Sequence, residues 1–231
     1  MENNNNIMDT KLKLKPIELI DIGIDKLTKI PVPILNDNMV STFDNDNGVP
    51  VDSFTIVFDS HFGDFSATLY SNYQIDLSLD YGDGNTQDFV LSSGTSTSII
   101  HNYTSAATYT ITATGWLDKI TSLIILPYNY SIGGTNTVSI NNMKNLSYLD
   151  LTGNYLTQIN LDGMISLNTI KLIDNYFSND EIDDIYNVAD TFLTFGGYIN
   201  TTGDNNGKPS VYSNIARTSL ISKGWTLNYN T

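Results

Sequence analysis

The stretch NLSYLDLTGN, residues 145–154, recurs 21 residues later as SLNTIKLIDN, residues 166–175. Three apolar positions and a closing asparagine are kept in both copies: Leu146, Leu149, Leu151 and Asn154 correspond to Leu167, Ile170, Leu172 and Asn175. A looser copy, TSLIILPYN, occupies residues 121–129. A fixed period of this length predicts stacked copies of one structural unit. We expect the apolar positions to face a shared core, and each asparagine to bind backbone groups of neighbouring copies.

This spacing resembles the leucine-rich repeat, L-x-x-L-x-L-x-x-N. The resemblance implies a short α/β solenoid over residues 119–231. The ending, with GGYIN at 196–200 and SKGWT at 222–226, is similar to the end of short leucine-rich-repeat proteins from gut bacteria and their phages. Two close copies and one looser copy are near the smallest number of repeats that forms a stable solenoid, so we expect capping elements at its ends.

The C-terminal residues predict two helices that can form such a cap. Ser178-Asn179-Asp180-Glu181 has the spacing of a capping box and predicts a helix over 179–193. Pro209 can start a second helix, which ends at Lys223 and Gly224. In this second helix we expect three apolar residues to face inward: Ile215, Leu220 and Ile221.

Upstream of the repeats, residues 51–118 are rich in Thr, Ile, Val, Tyr and Phe, in short runs separated by Gly, Asn, Asp and Ser. This pattern predicts six strands of an antiparallel β-sandwich. The predicted strands are residues 54–58, 65–70, 74–81, 88–92, 96–103 and 108–116. The residues expected to face inward include Phe54, Ile56, Phe58, Leu69, Ile75, Leu77, Leu79, Phe89, Ile100, Tyr109, Ile111 and Trp116.

Two motifs in this segment resemble a known family. Tyr81-Gly82-Asp83-Gly84 is similar to the W/F-G-D-G turn of PKD-type immunoglobulin-like domains, and His101-Asn102-Tyr103 is similar to the H-x-Y motif near their end. Ala107 departs from the family, which usually has glycine there. The resemblance implies an immunoglobulin-like sandwich over residues 53–118. The whole chain is therefore expected to be mainly β with some α: an N-terminal arm and linker (1–52), the sandwich, and the repeat domain (119–231).

The acidic glycine turn at residues 80–85 has three interpretations. As a tight turn, its glycines adopt backbone angles that other residues resist, and Asp83 accepts hydrogen bonds from nearby amides. As a cation site, Asp80, Asp83 and Asn85 could hold calcium, although their spacing is not that of an EF-hand. As a catalytic site, its carboxylates would act as acid or base. The turn is the favoured interpretation.

Composition narrows the chemistry that the chain can perform. It has no cysteine, and its only histidines are His61 and His101, so a thiolate site is excluded and a zinc site is poorly supplied. No G-x-S-x-G motif accompanies either histidine. We therefore expect no catalytic residues, no resident metal and no cofactor.

Charge and hydropathy exclude two classes of partner. The net charge is −14, and no basic residue occurs between Lys29 and Lys119. Such a surface repels phosphate, so we expect no nucleic-acid binding. No apolar run approaches the roughly 18 residues of a membrane span, so we expect no membrane insertion.

The N-terminal arm is apolar and charge-balanced, and prolines at 16, 31 and 33 disfavour a long helix. We expect it to bind a protein partner, with strand addition as one mode. The partner-binding residues predicted for this arm are Leu12, Leu14, Ile17, Leu19, Ile20, Ile22 and Ile24.

A chain with no secretory signal at its N-terminus and with display-type modules resembles accessory virion proteins of phages that infect gut bacteria, such as crAss-like phages. This resemblance implies synthesis in the host cytoplasm and a place in the virion. The arm would bind the capsid or another virion protein, as in a head decoration or head-fibre component. The alternative is a host-surface or carbohydrate-binding adhesin. In that case exposed tyrosines would contact a cell-surface glycan, with candidates Tyr128, Tyr130, Tyr148, Tyr155, Tyr176, Tyr186, Tyr198 and Tyr212.

Overall fold

Alternating apolar and polar residues form the strands of the first half of the chain. The computed structural model describes residues 53–59, 64–126, 134–140 and 142–231, so the predicted arm at 1–52 and His61 lie outside the described residues. Six strands appear close to their predicted places. They are β1 (Ser53–Asp59), β2 (Phe65–Ser71), β3 (Ile75–Asp80), β4 (Thr86–Leu91), β5 (Ser96–His101) and β6 (Thr108–Gly115).

The second half alternates short strands with turns and two helices. Its strands are β7 (Ile120–Ile125), β8 (Gly134–Ser139), β9 (Tyr148–Asp150), β10 (Thr169–Lys171), β11 (Tyr198–Asn200) and β12 (Thr226–Asn228). Its helices are α1 (Asn179–Ala189) and α2 (Asn214–Ser222). The described chain is thus mainly β with two short α-helices, as the sequence predicts, and neither helix is long enough to cross a membrane.

The described strands form two sheets. One has the order β4-β3-β6-β1-β8, and all of its pairings are antiparallel. The other has the order β12-β11-β10-β9-β7-β2-β5. In this seven-stranded sheet, β7 pairs antiparallel with β2 on one side and parallel with β9 on the other. The domain boundary predicted at 118/119 stays a prediction, and strands from both sides of it share each sheet.

A row of apolar residues runs across the inner side of the seven-stranded sheet. In register from β2 to β12 it consists of Leu69, Leu123, Leu149, Ile170, Ile199 and Leu227. All but Leu227 are almost fully buried, and Leu227 is half-buried. Because side chains alternate between the two faces of a strand, this row places the neighbouring polar residues on the other face.

Buried asparagines tie successive copies of the repeat together. Asn154 Nδ2 donates to the backbone oxygen of Ile125 at 2.8 Å, and Asn175 Nδ2 donates to that of Leu151 at 2.9 Å. Asn206 Nδ2 donates to the backbone oxygen of Leu172 at 2.8 Å. Each amide thus binds a carbonyl one copy earlier, which confirms the role expected for Asn154 and Asn175. The sequence pattern missed Asn206, because 31 residues rather than 21 separate it from Asn175.

The cap of α1 differs in one respect from the predicted capping box. Ser178 Oγ accepts the backbone N–H of Glu181 at 3.2 Å, as expected of a cap. The Glu181 carboxylate does not return to Ser178; it accepts the backbone N–H of Ile159 at 2.7 Å. The side chain therefore links α1 to the preceding turn, which is a tertiary contact that the local motif does not contain.

Three residues expected to face inward are exposed: Ile100, Ile215 and Ile221 are 53%, 86% and 60% exposed. Ile99, next to Ile100, faces the core, and adjacent residues of a strand point to opposite faces. α2 begins only at Asn214 and buries Ala216 and Leu220, so Ile215 lies on its outer side. The prediction of inward-facing Leu220 is confirmed.

The asparagine ties predict a large effect of a small substitution. Asn175→Ala removes bonds to three backbone carbonyls in a fully buried site, so we expect the free energy of unfolding to fall by about 2–4 kcal/mol. Urea unfolding measures this loss. The control is Asn160→Ala, in an exposed turn, for which we expect less than about 1 kcal/mol. Equal losses in the two variants would contradict the role assigned to Asn175.

Candidate functional site

The acidic glycine stretch forms a tight turn between β3 and β4. Asp80 Oδ1 accepts the backbone N–H of Gly82 at 2.8 Å, and Asp83 Oδ1 accepts that of Asn85 at 3.0 Å. Gly82 has a φ of +76°, and a Cβ there would lie 2.6 Å from the backbone oxygen of Thr110. Only glycine fits this backbone angle and this close approach. The turn interpretation is confirmed.

Asp83 also holds His101, at the end of β5. Its Oδ2 lies 2.8 Å from His101 Nε2 and accepts Asn85 Nδ2 at 3.0 Å. Partial burial by itself would raise the pKa of Asp83, but the hydrogen bonds from His101 and Asn85 outweigh it and lower the pKa to about 2. The carboxylate is therefore charged at neutral pH and fixes this turn of the five-stranded sheet to β5 of the seven-stranded sheet.

Aromatic rings pack around this hydrogen-bonded Asp83–His101 pair. His101 stacks on Tyr81 with 3.8 Å between ring centroids, and Tyr103 meets His101 edge-on. The Tyr103 hydroxyl donates to the backbone oxygen of Tyr81 at 2.9 Å. Burial, followed by the nearby Asp83 charge, raises the pKa of Tyr103, so this phenol stays protonated as a donor. The cluster binds the turn to β5 and acts as a structural clamp.

The cation interpretation stays a prediction. The oxygens Asp80 Oδ1, Asp83 Oδ1 and Asp83 Oδ2 accept the protein hydrogen bonds given above. Within the described residues, no group of three or more His, Cys, Asp or Glu side chains is placed to hold a metal ion.

The best candidate for recognition is the side of the seven-stranded sheet opposite the inner apolar row, here called the outer face; most of its side chains are half-buried or exposed, and Asp150 and Asn200 are buried. It consists of two rows, one residue per strand from β5 to β12, and the strand register sets both. The first row is Ser96, Tyr70, Ser122, Tyr148, Thr169, Tyr198 and Thr226. The second row is Ser98, Thr68, Ile124, Asp150, Lys171, Asn200 and Asn228. Six strand spacings of about 4.8 Å make the face about 29 Å wide.

A charged network lies on β9 and β10 in this face. Lys171 Nζ donates to the Tyr148 hydroxyl at 2.7 Å and lies 3.3 Å from Asp150 Oδ2. The Tyr148 hydroxyl donates to the same carboxylate at 3.3 Å. The hydrogen bond to Tyr148 and the charge of Asp150 together outweigh desolvation and raise the pKa of Lys171. The lysine therefore stays protonated and fixed above the sheet.

A second network lies on β11 and β12. The Tyr198 hydroxyl accepts Asn200 Nδ2 at 2.9 Å and Asn228 Nδ2 at 3.1 Å. Asn200 Oδ1 in turn accepts the backbone N–H of Thr202 at 3.0 Å. These bonds fix a tyrosine ring and two amides in one orientation. Fixed polar groups bind a ligand at lower entropic cost than mobile ones.

The outer face is electrically neutral in a chain of net charge −14. Asp150 and Lys171 are the only charged residues in its two rows, and they form an ion pair. The other positions offer hydroxyls, amides, phenol rings and one isoleucine. Such a face is suited to an uncharged ligand that donates and accepts hydrogen bonds and presents an apolar side to tyrosine rings.

Tyr128 and Tyr130 of the predicted tyrosine patch lie outside the described residues, and the structure brings only part of the described remainder together. Tyr148 and Tyr198 lie on the outer face, whereas Tyr155 and Tyr176 stack on each other elsewhere, and Tyr186 is fully buried. Sequence reasoning missed the other outer-face residues. The segments YLD, TIK, YIN and TLN each have an apolar Leu or Ile between two outward-facing residues. This alternation was the sequence signal from which four of them could have been predicted: Asp150, Lys171, Asn200 and Asn228.

Comparison of the whole chain with protein-family models, with curated proteins and with solved structures finds no match.

The Asp83 clamp predicts a pH-dependent stability. The pKa of Asp83 is about 2 in the folded chain and about 3.9 in an unfolded one, so the stability it contributes is full above pH ~4 and is lost as pH falls towards 2. We expect Asp83→Asn to lower the free energy of unfolding by about 1–2 kcal/mol at pH 7 and by little near pH 2. Urea unfolding across this pH range measures the difference, with exposed Asp88→Asn as the control. A difference independent of pH would contradict the assignment.

Proposed function

We propose that this chain is a non-catalytic accessory protein of a bacteriophage virion. In this proposal, the arm at residues 1–52 binds the capsid or another virion protein. The rest of the chain consists of a PKD-type immunoglobulin-like sandwich and a short leucine-rich-repeat solenoid, and it displays the outer face to the surroundings. The chain would decorate the head or form part of a head fibre.

Two structural features support the module assignments. The Asp83–His101 clamp joins the two motifs, Y-G-D-G and H-x-Y, on which the resemblance to PKD-type domains rests. The parallel order β9-β10-β11-β12, with asparagines bonded from copy to copy, has the repeating construction of a leucine-rich-repeat solenoid. Because a fold does not fix a function, the proposed role rests on the surface that these modules present.

The single observation that carries the proposal is the outer face itself. It extends across all seven strands without interruption, its polar groups hold one another in place, and its one ion pair is internal. A surface built in this way recognises a partner by shape and hydrogen bonding. Recognition on a displayed surface is what an accessory virion protein requires.

Particle incorporation tests the anchoring part of the proposal. Tagged full-length chain, produced during infection by a phage that encodes it, should co-sediment with purified particles. A variant lacking residues 1–52 should stay in the unsedimented fraction, because the apolar arm is the proposed contact with the virion. The control is the arm variant Lys11→Ala, which keeps all seven apolar anchor residues and should sediment normally. Normal incorporation of the shortened chain would contradict anchoring by the arm.

The second candidate function is a carbohydrate-binding adhesin, and the neutrality of the outer face favours it. Protein interfaces usually have an apolar centre with aromatic or arginine anchors. The outer face offers instead hydroxyls and amides around the tyrosines Tyr70, Tyr148 and Tyr198. This is the chemistry that a neutral oligosaccharide binds.

A glycan array with the full chain tests this candidate. If a neutral saccharide binds, Tyr198→Ala should weaken its affinity about tenfold, because a stacked ring and the hydroxyl that holds two amides are both lost. The matched control is Tyr212→Ala, since Tyr212 is 80% exposed and lies outside the outer face. Equal weakening by both substitutions, or no saccharide bound at all, would remove this candidate.

A further inference from the structure

Strand β5 forms one edge of the seven-stranded sheet. Among the described strands it pairs only with β2, in an uninterrupted antiparallel register from Phe65↔His101 to Tyr70↔Ser96. In such a ladder, alternate residues of the edge strand direct their N–H and C=O groups away from the sheet. β5 therefore offers a row of backbone donors and acceptors to a further strand.

Natural proteins protect sheet edges from pairing with a charge, a proline, a bulge or a very short strand. The other three described edges have such protection. β4 includes the exposed Asp88, β12 has only three residues, and the pairing of β8 with β1 is interrupted by a register shift. β5 has six residues, STSIIH, with no Asp, Glu, Lys, Arg, Pro or Gly and no shift in its register.

The strands beside this edge are also uncharged, and the Asp83 carboxylate lies only at the His101 end of β5, where it is hydrogen-bonded to His101. β5 and the next two strands, β2 and β7, contain no Asp, Glu, Lys or Arg. In a chain of net charge −14, most surfaces of two copies repel each other. The uncharged band beside β5 is where a second acidic copy can approach at the lowest electrostatic cost.

The strand is also complementary to itself. In an antiparallel pair, directly opposed residues point to the same side of the sheet. A two-fold axis through Ser98 places Ser98 opposite Ser98 and exposed Ile100 opposite Ser96 on the outer face. On the inner side it places Thr97 opposite Ile99, a pair of β-branched residues of the kind that favours strand pairing. No like charges meet.

We infer that β5 pairs antiparallel with β5 of a second copy of this chain, with Ser98 on the two-fold axis. Two seven-stranded sheets then become one continuous sheet, and the two outer faces lie side by side. This association does not depend on the virion or adhesin role of the outer face. Whatever ligand the outer face binds, the dimer presents it with two linked sites, which raises the overall avidity.

Charge placed on the axis tests the inference. We expect the full-length chain to give a two-chain species by light scattering over a dilution series. Ser98→Lys and Ser98→Glu should each reduce it to a monomer, because the introduced charge faces its own copy across the axis. An equimolar mixture of the two variants should restore a two-chain species. The control is Val90→Lys, on β4, an edge strand of the five-stranded sheet, where Val90 is 57% exposed; it should leave the dimer intact.

Three results would overturn the inference: a monomer at every concentration, a dimer that persists in both Ser98 variants, or a mixture that stays monomeric. Association that survives Ser98→Lys and disappears on removal of residues 1–52 would assign it to the arm instead. Ser98 is exposed and its side chain hydrogen-bonds to the Thr68 hydroxyl at 3.3 Å, so we expect both variants to fold, and thermal unfolding of each variant checks this.

Discussion

The described structure depends on β7, which forms two kinds of β pairing at once. Along one side, Leu123 and its neighbours pair antiparallel with β2, and along the other they pair parallel with β9. A single strand thereby joins the antiparallel strands of the first half of the chain to the parallel strands β9–β12 of the second half. Because Leu123 also belongs to the inner apolar row, both halves bury their side chains in the same core. The short strands β9–β12, of three residues each, gain a long partner that they could not supply themselves.

Two kinds of polar interaction fix the loops before and after β7. In the first half, Asp83 stays ionised and ties a glycine turn of the five-stranded sheet to His101 in the seven-stranded sheet. In the second half, neutral asparagine side chains satisfy backbone carbonyls inside the stack, where an unpaired carbonyl would cost free energy. The difference between a charged and a neutral side chain at these two places follows from how deeply each is buried. The carboxylate remains near solvent, where its charge is cheap to maintain, whereas Asn175 is fully buried and carries no charge.

The continuous sheet also explains why the candidate recognition surface belongs to no single segment. Tyr70 comes from the first half of the chain and Tyr198 from the last repeat, yet both lie in the same row of the outer face. Neutrality arises in the same way, since Asp150 and Lys171 cancel each other only because β9 and β10 lie in register. A surface of this width with internally satisfied polar groups is suited to binding, and among the described strands the same sheet ends in β5, which carries no Asp, Glu, Lys, Arg or Pro.

The sequence by itself determined the six strands of the first half, the period of the repeat, the buried leucines and the glycine turn, but not β8. These features follow from local rules: the alternation of side chains along a strand, the backbone freedom of glycine and the recurrence of Leu and Asn. Only the tertiary structure decided which strands pair and which side chains contact each other. Nothing local to residues 120–125 shows that both edges of β7 are paired. Local sequence likewise does not show that Glu181 binds the backbone N–H of Ile159, or that Asn206 continues the series of asparagine bonds although its spacing differs. The same limit explains the errors at Ile100 and Ile215. Both are apolar, and whether an apolar residue is buried depends on which face the neighbouring elements cover.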